Sequence, residues 1–474
     1  PLMLTAICLL YNDDKELPGQ RAELYDRFIT NLLYKRFGSE AQKVRNFLTE
    51  LALNTHEKHT KIISRVDAVK ILGQDFKKDK GETQKVYNSR LSNKFDEIEP
   101  ACGLLKFEQG GYGFIHLTFQ EFLTANALIA GETGNHFNTI KGYWDNEWYM
   151  EVVRLYIGYL SIQNRTLANT IVKKILEEKD LKPFFRHLLA IRSFIDIHRD
   201  NRDADTGKFA KQVLWKIIDS KVAPKIKAEA GELLGRLGDE RDFEAFIPIP
   251  DGAYETSTGK VNLKSFELAK FPVTNQWFGQ FISDGGYKKQ ELRSKHGWEW
   301  LENEKADEPE YWHDHQWNCP NHPVVGVSWY EADAFCRWLT QTRRDGFTYR
   351  LPDEKEWEAA AAGKQRRKYP YGEKFVSSRC NTAKSNIGKT SAVGIFKAGD
   401  TPEGLSDLSG NVWEWTCTNM EATKSKPDFK DPDLPVLRGG SWDYGSTNVR
   451  CDYRDCNHPN FRFDNVGFRC SRTK

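Results

Sequence analysis

The sequence predicts a multidomain chain that is α-helical first and mixed α+β afterwards, and three observations carry that prediction. Its 474 residues exceed what one core usually organises. From Leu2 to Leu237, apolar residues recur at three- and four-residue spacing, as in Leu24, Phe28, Leu32 and Leu33 or Val172, Ile175 and Leu176, which is the period of an amphipathic helix. That part holds only Trp144, Trp148 and Trp215 of the fourteen tryptophans. The others follow Pro248, among Gly- and Asn-rich joints and short β-branched runs such as Pro323-Val324-Val325-Gly326-Val327.

The elements divide the chain into a helical region at 1–95, a hairpin and helix at 96–130, a helical domain at 131–243 and a loop-rich domain at 244–474. Gly103 to Phe107 and Gly110 to Ile115 read as two short strands around a glycine turn, and a hairpin after helices suggests a winged helix. Helical spacing returns from His116 to Ile129, with Phe119, Phe122, Leu123 and Leu128 on one face. Ala228 to Asp239 resembles the end of a helical-repeat unit, although one segment does not establish an array. In the last domain two helices are expected, Asn275 to Ile282 and Tyr330 to Thr342, the second announced by Ser328 and Glu331 as a capping box.

Several function classes are disfavoured by composition. With 69 Lys plus Arg against 67 Asp plus Glu, the net charge of +2 gives no global case for nucleic acid or acidic lipid. No apolar run reaches the ~18 residues of a spanning helix, and an opening at Pro1 reads as a piece of a longer protein. Nine scattered cysteines without a C-x-x-C spacing point to reduced thiols and a cytoplasmic setting, with Cys8, Cys102 and Cys336 in apolar contexts. His313, His315, Cys319 and His322 lack zinc-knuckle spacing, so a loop beside Trp312 and Trp317 is the better reading. No G-x-x-x-x-G-K-[ST] occurs; Gly388-Lys389-Thr390 lacks the upstream glycine.

Pro1-Leu2-Met3-Leu4, Glu16-Leu17-Pro18, Arg21 to Tyr25 and above all Phe114-Ile115-His116-Leu117-Thr118-Phe119-Gln120-Glu121-Phe122-Leu123 resemble the part of a NACHT-type NTPase that follows its ATPase core. The resemblance implies helical and winged-helix domains, with His116 reaching the nucleotide β-phosphate and Pro1 beside the adenine. ATP or ADP would then bind only together with the NTPase core upstream. A residue-level alternative is that His116 caps a strand-to-helix turn.

Phe246 to Arg472 carries Ile249-Pro250-Asp251-Gly252, His322-Pro323-Val324-Val325-Gly326-Val327-Ser328-Trp329, Tyr349 to Glu358, Asp407-Leu408-Ser409-Gly410-Asn411-Val412-Trp413-Glu414-Trp415, Arg438-Gly439-Gly440-Ser441-Trp442 and Val466-Gly467-Phe468-Arg469. In order and spacing these resemble the formylglycine-generating enzyme (sulfatase-modifying factor) family, a variant of the C-type lectin fold. The resemblance implies a structural Ca²⁺ held by Asp407, the carbonyls of Gly410 and Val412, and Glu414; the alternative has the two carboxylates capping turns and pairing with arginines. A second calcium loop near Asn381 and Thr382 would have Ser385 in its acidic place. The family's oxidase chemistry needs two thiols five positions apart, the first two residues after Trp442, and Asp443, Tyr444 and Val449 leave them out of register. Cys451 and Cys456 have the separation but lie seven residues downstream. No copper is therefore expected, and no enzyme; an oxidoreductase of this family is the competing reading.

Asp443 to Cys470 contains no Lys, Glu, Gln, Met or Trp. Codons that begin as AAC or AAT and change only at adenines can never encode those five. With Arg-Gly-Gly-Ser-Trp before it and Val-Gly-Phe-Arg after it, the segment resembles the variable region of a diversity-generating retroelement protein. Matched to the Asn-rich template of such regions, the varied positions are Asp443, Tyr444, Gly445, Tyr453, Asp455, Cys456, Asn457, His458, Asn460, Phe461, Phe463, Asp464 and Asn465, with Arg450, Arg454, Pro459 and Arg462 holding the backbone. The chain is thus expected to be the sensor end of a NACHT-type signalling protein that binds a variable macromolecular target, a protein rather than a membrane or nucleic acid, through these positions.

Overall fold

The fold is described from a computed structural model covering residues 18–132, 134–179, 184–421, 424–426, 428–430 and 433–474. Pro1 and Cys8 lie outside these residues. The chain separates into two compact units, Pro1–Val213 and Leu214–Lys474.

The first unit contains α1 (Arg21–Phe37), α2 (Ala41–Glu57), β1 (Ile62–Ile63), α3 (Arg65–Leu72), α4 (Gln84–Cys102), β2 (Leu105–Glu108), β3 (Gly111–Phe114), α5 (Leu117–Ala130), α6 (His136–Lys141), α7 (Met150–Gln163), α8 (Arg165–Glu177) and α9 (Phe185–Asp196). The expected hairpin is present as β2 and β3, turning at Gln109 and Gly110, both at positive φ. Its third partner, β1, makes the order β1-β3-β2 and was invisible in the sequence because two residues carry no period. Helix α4 ends at Gly103, whose φ of 66° is the left-handed stop that glycine adopts without a Cβ clash. Helix α5 buries Phe119 and Phe122 against α1, where Phe119 stacks on Phe28 with ring centroids 5.7 Å apart.

Helix α10 (Ala204–Asp219) contains the division between the units, and α11 (Pro224–Leu237) falls in the second. The expected boundary at 243/244 is therefore displaced, for a packing reason. Asn321, fully buried, donates from Nδ2 to the Gly231 carbonyl and to Asp239, both at 2.9 Å. A Cβ on Gly235 would stand 2.2 Å from Asn321 Oδ1 and 2.9 Å from Cys319 Sγ. Gly231 and Gly235 thus let the helix lie against these loops rather than end a repeat array. Gly235→Ala is expected to destabilise the second unit by about 1–3 kcal/mol through overpacking, read as a lowered midpoint in chemical denaturation.

The remainder of the second unit is short strands and long joints. Strands β4 (Phe246–Ile249), β7 (Phe266–Ala269), β13 (Ser471–Thr473) and β8 (Thr348–Arg350) form one sheet in the order β4-β7-β13-β8. Strands β11 (Asp455–Cys456), β10 (Pro435–Arg438), β9 (Trp413–Asn419) and β12 (Val466–Phe468) form another in that order, with β12 parallel to β9. β5 (Gly252–Thr256) and β6 (Gly259–Leu263) pair as a ribbon. Helices α12 (Asn275–Ser283), α13 (Lys295–Glu304), α14 (Trp329–Arg343) and α15 (Glu354–Ala362) complete the unit. The Ser328–Glu331 capping box is formed, so α14 starts one residue before the expected Tyr330. Trp277, Phe278, Phe281, Trp329, Phe335, Trp413, Trp415 and Phe468 fill a core whose aromatic area compensates for little regular structure. No helix among the described residues is long and apolar enough to cross a membrane.

Candidate functional site

The segment from Ser441 to Val466 leaves β10 through Gly439 and Gly440, both at positive φ, where a Cβ on Gly440 would meet Val449 Cγ1 at 2.6 Å. Its backbone is tied down at intervals by the scaffold. The amide of Trp442 donates to Asn411 O, Ala383 donates to Tyr444 O, Trp329 to Pro459 O, Gly326 to Phe463 O and Trp413 to Asn465 O, all at 2.8–3.1 Å. Such anchoring fixes the main chain while leaving side chains between anchors free of structural duty.

Side-chain placement follows that division. None of the thirteen expected variable positions is buried, and Asp443, Asn460 and Phe463 are exposed. Val449, Cys451 and Pro459, interspersed among them, and Val466, directly after them, are buried. Two of the arginines between them, Arg454 and Arg462, turn to the scaffold. Arg454 pairs with Glu354 through two bonds of 2.6 and 2.9 Å, while Arg462 donates to the Gly326 carbonyl and pairs with Glu310 and Glu331. Glu331 simultaneously closes the α14 capping box, so one buried carboxylate holds both the helix start and the display loop. Among the described residues Arg450 forms its ion pair with nearby Asp452, a local bond rather than a scaffold one.

Two groups of rings result. Tyr444 and Tyr453 lean on Trp413, with centroids 5.3 and 6.0 Å away, and Phe461 contacts both His458 and Phe463 at 5.3 and 5.2 Å. Tyr311, from a distant loop, lies close enough to Asp464 for its hydroxyl to be held up by burial and by that carboxylate. Sequence reading missed Tyr311 because it belongs to no motif; the neighbouring Trp312 and Trp317 were its one signal.

The expected calcium ligands take other partners. Both Glu414 oxygens are engaged by Arg469, at 2.7 Å each, and Trp357 Nε1 donates to Oε2 at 2.6 Å, with both charged side chains fully buried. Asp407 Oδ2 accepts from the Gly394 amide at 2.6 Å, and the Gly410 carbonyl accepts from Val412. A cation at Glu414 would stand against a full guanidinium charge, so these residues fit the ion-pair alternative and not a Ca²⁺ cage. Chelation with EGTA is accordingly expected to leave the melting temperature unchanged. Ser385 donates to Asn381 and to the Thr382 carbonyl, closing a small turn where the second calcium loop was considered.

Cys451 is buried among Trp357, Leu405 and Leu408, where burial pushes its thiol up, whereas Cys456 is half-buried on β11. A buried thiol held neutral in one core is a poor copper ligand. The histidine-rich stretch is split as well: His313 is exposed beside Glu308, while His322 is buried with Nδ1 3.1 Å from Thr390. Among the described residues no cluster of three His, Cys, Asp or Glu side chains is arranged to hold a metal.

Burial pulls the His322 imidazole down to about 3. The folded state therefore binds fewer protons than the unfolded one, and this residue's contribution to stability is lost as pH falls from its ordinary value of 6.5 towards 3. Half-buried Asp407, whose carboxyl is raised to about 6 by loss of solvent, acts in the opposite sense. The contribution of His322 is therefore isolated by His322→Gln, which is expected to flatten the fall in unfolding free energy between about pH 6.5 and 4.

In the first unit, exposed His116 is the N-cap of α5, its Nδ1 accepting from the Thr118 amide at 3.2 Å. That bond places the proton of the neutral ring on Nε2, which leaves Nε2 as a donor. Pro1, its expected companion at the nucleotide, is outside the described residues.

Comparison with known proteins fits this architecture. The family model for the sulfatase-modifying factor enzyme 1-like domain matches residues 228–474, from within α11 to the last residue. The chain belongs to this family. A second model, for the winged helix-turn-helix domain C-terminal to NACHT, matches residues 29–128, so it takes in most of α1 as well as the hairpin. The inactive C-alpha-formylglycine-generating enzyme 2 of Bos taurus is 33% identical over 280 residues, covering 48% of this chain and 84% of that protein. Hercynine oxygenase of Mycolicibacterium thermoresistibile is 29% identical over 225 residues, 42% of this chain and 49% of that enzyme. The sulfatase-modifying factor family thus includes both enzymes and a relative named as inactive. Among solved structures, Treponema denticola variable protein 1 aligns at 19% identity over 48% of this chain and 94% of its own, with a TM-score of 0.35.

Proposed function

We propose that the chain is the recognition part of a NACHT-type signalling protein, binding a macromolecular target through the side chains at 443–465 on a sulfatase-modifying-factor scaffold. One observation carries the reading: every position assigned to variation is at least partly in solvent, while Val449, Cys451 and Pro459 between them and Val466 directly after them are buried. A segment under ordinary packing constraints would mix the two classes. The reading makes the domain a binding module rather than an enzyme, because Tyr444 and Val449 stand where the family's two thiols belong and Cys451 is sealed in a core. In the full protein, His116 and Pro1 would report the nucleotide state of an ATPase core that this sequence does not include. ATP titrated calorimetrically into this chain is expected to give no heat of binding, and micromolar affinity would contradict that assignment. The binding face itself is tested by exchanging its side chains and measuring fold and affinity separately, as set out in the Discussion.

A further inference from the structure

We infer that the partner of this face is a basic protein segment, one presenting Arg or Lys beside apolar side chains. The inference rests on the reading of 443–465 as a binding surface and adds the chemistry of what it takes. The face joins aromatic rings to carboxylates. Asp443 directly precedes Tyr444 and is bonded by Asn465, the residue after Asp464, while Asp455 lies two residues from Tyr453 at the start of β11. Burial holds the Tyr444 hydroxyl up, with Asp443 and Asp455 adding to it. Asp443, Asp455 and Asp464 therefore lie around the tyrosines rather than apart.

Among the described residues no cationic side chain pairs with them. Asp443 accepts from Ser441 Oγ at 2.6 Å and from Asn465 Nδ2 at 3.1 Å, and Asp455 accepts from the Cys456 amide at 2.9 Å, all neutral donors. Among the described residues, none of the three forms an ion pair. The arginines that share the segment are spent elsewhere, Arg450 on Asp452, Arg454 on Glu354 and Arg462 on Glu310 and Glu331, and no lysine occurs from 443 to 470. The face thus offers rings with like-charged carboxylates beside them. A guanidinium or ammonium satisfies both at once, lying on a ring and pairing with a carboxylate. Phosphate-bearing partners meet repulsion at the same place, and among the described residues no ligand cluster suits a metal ion.

The test selects a random peptide library displayed on phage against the whole chain, with the variant carrying Ser at 444, 453, 461 and 463 as the control. Enriched peptides are expected to carry Arg or Lys next to aromatic or aliphatic residues. The affinity of the best of them should fall about tenfold in the Asp443→Asn, Asp464→Asn double variant and about tenfold between low and high salt. Asn keeps the shape and the neutral hydrogen bonds, and an unchanged melt of that variant confirms that charge alone was removed. Acidic or uncharged enriched peptides, indifference to the double variant, or preferential binding of a DNA oligonucleotide at this face would overturn this inference and leave the binding face standing. Enrichment equal on the Ser-substituted control, or none on either, would overturn the binding face and this inference with it.

Discussion

Glu414→Gln is expected to destabilise the second unit by about 3–5 kcal/mol, because it leaves the Arg469 charge buried without its partner. Arg469 and Glu414 are both fully buried, and Arg469 also donates to the carbonyls of Ala269, Lys270 and Ser406. Those bonds hold strand β7, the joint after it and the 406 loop in one place, so the guanidinium cannot move to solvent. Total stabilities of domains lie at about 5–15 kcal/mol, which makes this loss a large part of the whole. Chemical denaturation of the single variant measures it. The double variant Glu414→Gln, Arg469→Met removes the orphaned charge and is expected to recover part of the loss, since a neutral pair of similar volume is tolerated better than half an ion pair. A single-variant loss under about 1 kcal/mol would contradict this and show that water reaches the pair and screens the orphaned charge.

Replacing Tyr444, Tyr453, Phe461 and Phe463 together with Ser is expected to abolish target binding while the domain still folds. Anchor rings at interfaces contribute about 1–4 kcal/mol each, so the loss of four exceeds what a micromolar or nanomolar complex retains. The stability cost is not evenly spread. Phe463 is 42% exposed and Phe461 contacts mainly His458 and Phe463, so these two are nearly neutral to folding. Tyr444 and Tyr453 rest on Trp413 and the main core, where truncation removes some packing. A melting temperature lowered by several degrees but with a cooperative transition is therefore the expected result. Collapse of the fold would mean that all four are core residues.

The scaffold was legible because its motifs are packing devices whose spacing survives in sequence. Ser328 and Glu331 form the capping box that their separation implied, and Arg438, Arg469 and most of the second unit's tryptophans sit buried. The positions at 443–465 were singled out by a different signal, a composition without Lys, Glu, Gln, Met or Trp, which is not a packing pattern. What escaped reading depended on contacts between distant residues. The Ile62–Ile63 strand is too short for a period, and the docking of α11 depends on Asn321, eighty-odd residues away. The partner of Glu414 was ambiguous because a carboxylate in an oxygen-rich loop suits Ca²⁺ and arginine equally until Arg469 is placed.

The central claim is that 443–465 carries replaceable side chains on a fixed backbone. A library encoding Asn-derived codons at all thirteen positions, displayed on yeast and sorted for protease resistance, tests it most directly. The account predicts that most members resist proteolysis like the parent, whereas a matched library at Val449, Cys451, Pro459 and Val466 yields almost none. Equal loss of resistance in the two libraries would contradict it.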